Sequence, residues 1–202
     1  MSLTGLVLCG GKSSRLGMDK AQISYHGQPQ WLYTARLLTS LCDRTLVSCS
    51  SSQATTFRQE LNPAETISLC IDSDRFGGKG PMSGVLSAFE KYPGEPMLVV
   101  GCDYPLLTRA ELESLIHARA SGFQAVCHHI KKDDLDLPFP ALYEAAIYPA
   151  LQRLFSANDF SLRTALKIEP VIRLEPPHPE HLVSADTLEQ VRHMQQIIAK
   201  RS

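Results

Sequence analysis

Short apolar runs bounded by turn-forming residues recur along the chain: Leu3 to Cys9, Thr45 to Cys49, Ile67 to Ile71, Met97 to Gly101 and Phe123 to Cys127. Runs this short and this continuously apolar suit strands covered on both faces. The pattern between them has a helical period. Pro29 fits the first turn of a helix through Leu41, in which Trp31, Leu32, Ala35, Leu38 and Leu41 share one apolar face. Thr108 with Glu111 spells a capping box at the start of another helix, and Asp186 with Glu189 predicts the start of the last, running toward Lys200. Alternating strands and helices predict an α/β fold of three layers: a mostly parallel central sheet, helices on both faces and right-handed crossovers.

Such a sheet binds ligands beyond the carboxyl ends of its strands, near the point where strand order reverses. Three polar segments fall there: Gly10 to Lys20 after the first strand, Asp72 after the third and Asp103 after the fourth. The first packs Gly10, Gly11 and Gly17, the hydroxyls of Ser13 and Ser14, and the cations Lys12, Arg15 and Lys20 into one stretch. Glycines let main-chain N–H groups converge on a polyanion while the cations neutralise its oxygens. A triphosphate is the expected guest. A Walker A loop ending on Lys12 and Ser13 is out of register, because it needs glycine where Leu6 stands. A dinucleotide fingerprint fails because Gly10 and Gly11 are adjacent.

Composition narrows the class. At 202 residues, 44% hydrophobic and 20% charged, the chain reads as one globular domain. A net charge of -1 offers no global attraction to nucleic acid or anionic lipid. Six cysteines carry no C-x-x-C pair, no apolar run reaches bilayer length, and no secretory signal is expected, since the first residues lack a charged stretch followed by an apolar one. A cytoplasmic, reduced protein without membrane or nucleic-acid partners is expected.

The segment Leu8 to Lys20, L-x-G-G-x-S-x-R-(apolar)-G-x-D-K, resembles the signature of molybdenum cofactor guanylyltransferases. Gly80-Pro81-Met82-Ser83-Gly84 resembles the family's second glycine segment and Gly101-Cys102-Asp103-Tyr104-Pro105 its C-D-x-P segment. Together these matches span about the first half of the chain. The resemblance implies a Rossmann-like nucleotidyltransferase fold that transfers GMP from GTP to molybdopterin with Mg2+, releasing pyrophosphate. The nucleotide half is then about 1–107 and the acceptor half about 108–202. Transient contact with molybdoenzymes or cofactor-delivery proteins would follow.

Carried over by residue, the resemblance places Leu8, Cys9, Gly10, Gly11 and Ser13 around the nucleotide and Lys20 on phosphate. Ser48 stands where a relative has a nucleotide-contacting asparagine. Asp72 falls at an acidic nucleotide contact and Asp103 at the metal ligand, while Arg15, Lys20 and Asp103 form the catalytic set. A turn or helix-capping role is the alternative for Asp72. Pro138 to Tyr143 resembles a segment near the acceptor, or else an edge strand containing proline. Ser161-Leu162-Arg163 resembles a helix opening on the same side, or is an ordinary helical start.

The chain departs from the pattern at Ser184-Ala185-Asp186-Thr187-Leu188, where relatives carry N-x-N-T-P on the pterin side. A CTP-using relative with another acceptor phosphate and a non-catalytic nucleotide-binding module are the competing readings. Gly11 and the Asp19-Lys20 pair favour guanine. Of the adjacent histidines His128 and His129, opposite strand faces leave one exposed. Lys131 to Asp134 reads as a solvated turn and Trp31 as helix core, and no metal is assigned to His178 or His181.

Overall fold

The structure, a computed structural model, describes residues 2–9 and 17–201. Its described residues form one seven-stranded sheet. Strands β1 (Thr4–Leu8), β2 (Arg44–Cys49), β3 (Ile67–Ile71) and β4 (Met97–Gly101) are joined by parallel pairings. Strand β6 (Leu135–Tyr143) runs antiparallel to β4 and to β5 (Ala125–Ile130), and β7 (Val171–Leu174) lies parallel to β5 at the edge. The order is β3-β2-β1-β4-β6-β5-β7. The mostly parallel expectation holds, with a single reversed strand inside the sheet.

Alternation along the strands feeds two cores. Val7, Val47, Leu98, Val100 and Leu142 face α1 (Gln30–Thr39), α2 (Ser51–Glu60) and α4 (Arg109–His117). Leu6, Leu46, Met97, Val99 and Tyr143 face α3 (Pro81–Lys91), α5 (Tyr148–Ser156) and α6 (Leu162–Ile168). Period-two side chains make this division unavoidable once both faces are covered. Trp31 is fully buried on α1, stacked on Phe57 at 4.3 Å, and its indole N–H donates to Glu60 at 2.9 Å. A third, smaller core forms where α7 (Leu188–Arg201) packs Val191, Met194 and Ile198 on Ile23, Tyr25 and Leu106.

Several local expectations are corrected. The fifth strand starts at Ala125 and continues through both histidines, leaving Phe123 outside and exposed. His128 is fully buried, and His129 is partly buried against Asp136 at 2.8 Å, so neither lies in the open. Strand β6 is internal rather than an edge. Its prolines are tolerated because Pro138 and Pro140 fall between the β4 pairing, which ends at Ala141, and the register shift opposite β5. The last helix is capped one residue later than expected. Thr187 Oγ1 accepts the Gln190 N–H at 3.2 Å and Gln190 Oε1 accepts that of Thr187 at 3.0 Å. Lys131 to Asp134 is a solvated turn as expected, exposed and closed by Asp134 in the left-handed region. Among the described residues no helix is long and apolar enough to cross a membrane.

Candidate active site

Strand order reverses between β1 and β4, because the chain runs outward through β2 and β3 before returning. The backbone stitches the strand ends into one rim there. Cys9 N donates to Ser48 O at 3.0 Å, Cys102 N to Leu8 O at 3.1 Å and Asp72 N to Cys49 O at 3.3 Å. The rim therefore carries Leu8, Cys9, Ser48, Asp72 and Asp103 side by side, at the ligand position of open α/β sheets. Gly10, Gly11, Ser13 and Arg15 lie outside the described residues.

Two polar groupings form on this rim. On one side Ser48 Oγ donates to Asp72 Oδ1 at 2.7 Å. Burial pushes the Asp72 carboxyl above the usual aspartate range, and the Ser48 hydroxyl partly offsets this. The start of α3 closes on the same place. Gly80 caps it at φ 70°, a backbone region that favours glycine, and Gly84 lies flat against Leu8 and Ser48.

On the other side, Asp19 Oδ1 accepts the Ala21 N–H at 3.0 Å and so opens the short turn that presents Lys20. The Lys20 ammonium lies 3.8 Å from Asp103 Oδ2 and in a short hydrogen bond to Asp186 Oδ1. Asp186 is steadied by Ser184 Oγ at 2.9 Å, and the backbone beside it is anchored by Ala185 N donating to Asp103 O at 2.9 Å. Burial raises the Asp103 pKa, Lys20 opposes that rise, and Asp186 adds to it. Phe139, from the segment expected near the acceptor, stands edge-on to Tyr104 with ring centroids 6.1 Å apart and packs by Gly101. Burial pushes the Tyr104 hydroxyl above the usual tyrosine range, Asp103 and Asp186 add to that, and Arg163 opposes it weakly.

Lys20 and Asp103 are thus brought together, as are Ser48 and Asp72. Sequence reasoning missed Asp186, which it spent on the cap of α7; the signal was its place in the motif where relatives carry asparagine. Burial pushes the Cys9 thiol far up, and its Cys102 neighbour adds to that, so Cys9 offers no thiolate nucleophile.

Two carboxylates already share one cation at this rim, and hard oxygen donors of this kind suit a small divalent ion. The raised proton affinity of Asp103 points the same way, since a cation would relieve the buried charge. Among the described residues no group of three or more His, Cys, Asp or Glu side chains is placed to hold a metal alone. Such an ion would need further oxygens from a ligand, as expected for an ion that binds with a substrate's phosphates.

Two carboxylates on one lysine at the switch point, beside the turn that Asp19 opens, suit the handling of phosphates with a cation, and the chain is a nucleotidyltransferase. Residues 5–192 match the MobA-like NTP transferase domain, and the chain belongs to that family. A molybdenum cofactor biosynthesis bifunctional protein of Synechocystis is 34% identical over 181 residues, covering 89% of this chain and 49% of that one, so this chain spans about half its length. A probable molybdenum cofactor guanylyltransferase of Methanothermobacter thermautotrophicus is 30% identical, covering 80% of this chain and 81% of its own. The fold matches molybdopterin-guanine dinucleotide biosynthesis protein A of Archaeoglobus fulgidus with TM-score 0.79 at 18% identity, covering 98% and 99% of the two chains. Nucleotidyltransferases of this family typically employ a divalent metal.

Proposed function

We propose that the chain transfers GMP from GTP to the phosphate of molybdopterin, with Mg2+, giving the guanine dinucleotide cofactor and pyrophosphate. The observation that carries this reading is the Lys20, Asp103 and Asp186 grouping at the switch point. The family and the names of the relatives support the donor and the acceptor. The nucleotide occupies the half of the chain up to about residue 107 and the acceptor the half from about 108. Six free thiols suit a reducing cytoplasm.

An acceptor phosphate oxygen attacks the α-phosphorus; the bond from that phosphorus to the bridging oxygen breaks, and pyrophosphate departs with the electron pair. The acceptor phosphate is already largely ionised near neutral pH, so no protein nucleophile or strong base is needed. The difficulty is to bring negative groups together. Lys20 and Arg15 neutralise phosphate oxygens, while Leu8, Cys9, Ser48 and Asp72 of the rim, with Gly10, Gly11 and Ser13 of the glycine-rich segment, hold the nucleotide in line. Asp103 and Asp186 would hold magnesium, which supplies Lewis-acid neutralisation of the α-phosphate and the leaving group. Lys20 lies within reach of both carboxylates and screens their mutual repulsion.

Transfer of labelled nucleotide to molybdopterin, run across the four ribonucleoside triphosphates, tests the reading. GTP is the expected donor. Preference for CTP would replace the guanine assignment, and metal-indifferent GTP binding without pyrophosphate release would mark a binding module instead. Lys20→Ala or Asp103→Ala should each cost about 3 kcal/mol or more in kcat/KM, comparable to losing an oxyanion donor. Near-normal turnover in either would sink the assignment of those residues.

A further inference from the structure

Gln53 sits in the first turn of α2, remote in sequence from every motif above. Its side-chain oxygen accepts the Ser50 N–H at 3.0 Å and the Ser50 hydroxyl at 3.1 Å, completing the capping box that starts the helix. With the oxygen fixed there, the amide nitrogen must point away from the cap. It donates to Cys9 O at 3.2 Å and to Asp19 Oδ2 at 2.8 Å. Cys9 immediately precedes the segment Gly10 to Lys20 and Asp19 is its penultimate residue, so one amide group bonds to the chain at both of its ends. The other Asp19 oxygen opens the turn bearing Lys20.

We propose that Gln53 is a positioning residue of the nucleotide site, tying Cys9 to Asp19 and fixing through Asp19 the turn that presents Lys20. The proposal rests on the reading of the glycine-rich segment as the triphosphate site. The chemistry selects glutamine. Two acceptors, a carbonyl and a carboxylate, face a donor N–H on the cap, and only an amide supplies two donors and an acceptor within one planar group. Holding Asp19 fixes the turn that carries Lys20 before the nucleotide arrives, so the contribution belongs to lysine placement and nucleotide affinity.

Gln53→Glu retains the cap oxygen but sets a carboxylate against Asp19 and the Cys9 carbonyl; Ser50→Ala removes the hydroxyl of the cap while leaving the clasp. In Gln53→Glu we expect kcat/KM for GTP to fall about tenfold or more, the acceptor KM to stay near wild type, and backbone hydrogen exchange to speed up in peptides covering 9–22. Ser50→Ala should leave the GTP kinetics and that exchange largely unchanged, even where it lowers the melting temperature. Adding Asp19→Asn to Gln53→Glu exchanges donor for acceptor across the pair and should recover part of the loss. Exchange and GTP kinetics at wild-type values in Gln53→Glu overturn the proposal, as does an equal loss in Ser50→Ala. Exchange in the nucleotide-free protein reads the clasp without turnover, so a wild-type chain inactive on GTP would defeat the proposed function while leaving this outcome decisive.

Discussion

Among the described glycines, Gly84 makes the tightest approach. A Cβ added there would lie 2.9 Å from Leu8 Cδ2, 3.0 Å from Ser48 Cβ and closer still to Ser48 Oγ. Ser48 would have to move, and with it the hydrogen bond that holds Asp72. Gly84→Ala is therefore expected to destabilise the fold by about 1–3 kcal/mol, the usual cost of overpacking, and to raise KM for GTP. Urea unfolding and initial rates check both; an unchanged KM would mean that Ser48 and Asp72 do not shape the nucleotide pocket. At this scale position and residue type together anticipated the meeting of Lys20, after the glycines, with Asp103, at a strand end. The sequence was misleading at Asp186. Ser184, Asp186 and Thr187 are all good cap formers in a short stretch, and only the lysine 166 residues away in the chain decides which of them faces the site. Gln53 was invisible because its partners are a backbone carbonyl and a residue across the sheet edge.

Elements were readable in proportion to the strength of their period. The five apolar runs correspond to β1 to β5, differing only at their ends, since a doubly covered strand has no polar face to confuse it. Strand β6 was ambiguous because two prolines argue against a central strand, and their permissibility depends on where the neighbours stop pairing, which is tertiary information. Strand β7, only four residues long, is too short to show a period. The start of α7 was placed by a rule that several adjacent residues satisfy, and the structure assigns the cap to Thr187 with Gln190. Thr187→Ala should consequently cost about 1 kcal/mol, whereas exposed Glu189→Ala should cost a few tenths through the helix dipole alone. Thermal denaturation of the two variants side by side distinguishes them, and the reverse ranking would return the cap to Asp186 and Glu189.

Across the whole molecule, the site exists only because the end of the chain comes back over its beginning. Glu111, fully shielded at the start of α4, accepts the Thr108 N–H at 3.1 Å, the Thr108 hydroxyl at 2.5 Å and His181 Nδ1 at 2.9 Å. From that anchor the chain runs through buried Leu182 to Ala185, bonded to Asp103 O, and to Asp186 on Lys20. Helix α7 then packs on Ile23, Tyr25 and Leu106, and Gln195 donates to Ser24 O at 3.0 Å. Burial by itself would raise the Glu111 pKa, but the hydrogen bonds from Thr108 and His181 outweigh it and hold the carboxyl below the ordinary glutamate range. A depressed carboxyl pKa stabilises the fold fully above its unfolded value and loses that contribution as pH falls through the folded value. Stability should thus be flat near neutrality with respect to this group and decline below about pH 4.3. Glu111→Gln keeps the shape but not the charge. It should lower stability at pH 7 by about 1–3 kcal/mol, because buried donors lose an ionised acceptor, and it should flatten the acid decline. Denaturant titrations from pH 7 down to about 3.5 compare the two proteins. An equally steep decline in the variant would place the acid sensitivity elsewhere, whereas a flattened one accompanied by weaker nucleotidyl transfer at neutral pH would show that this anchor also keeps Asp186 in place.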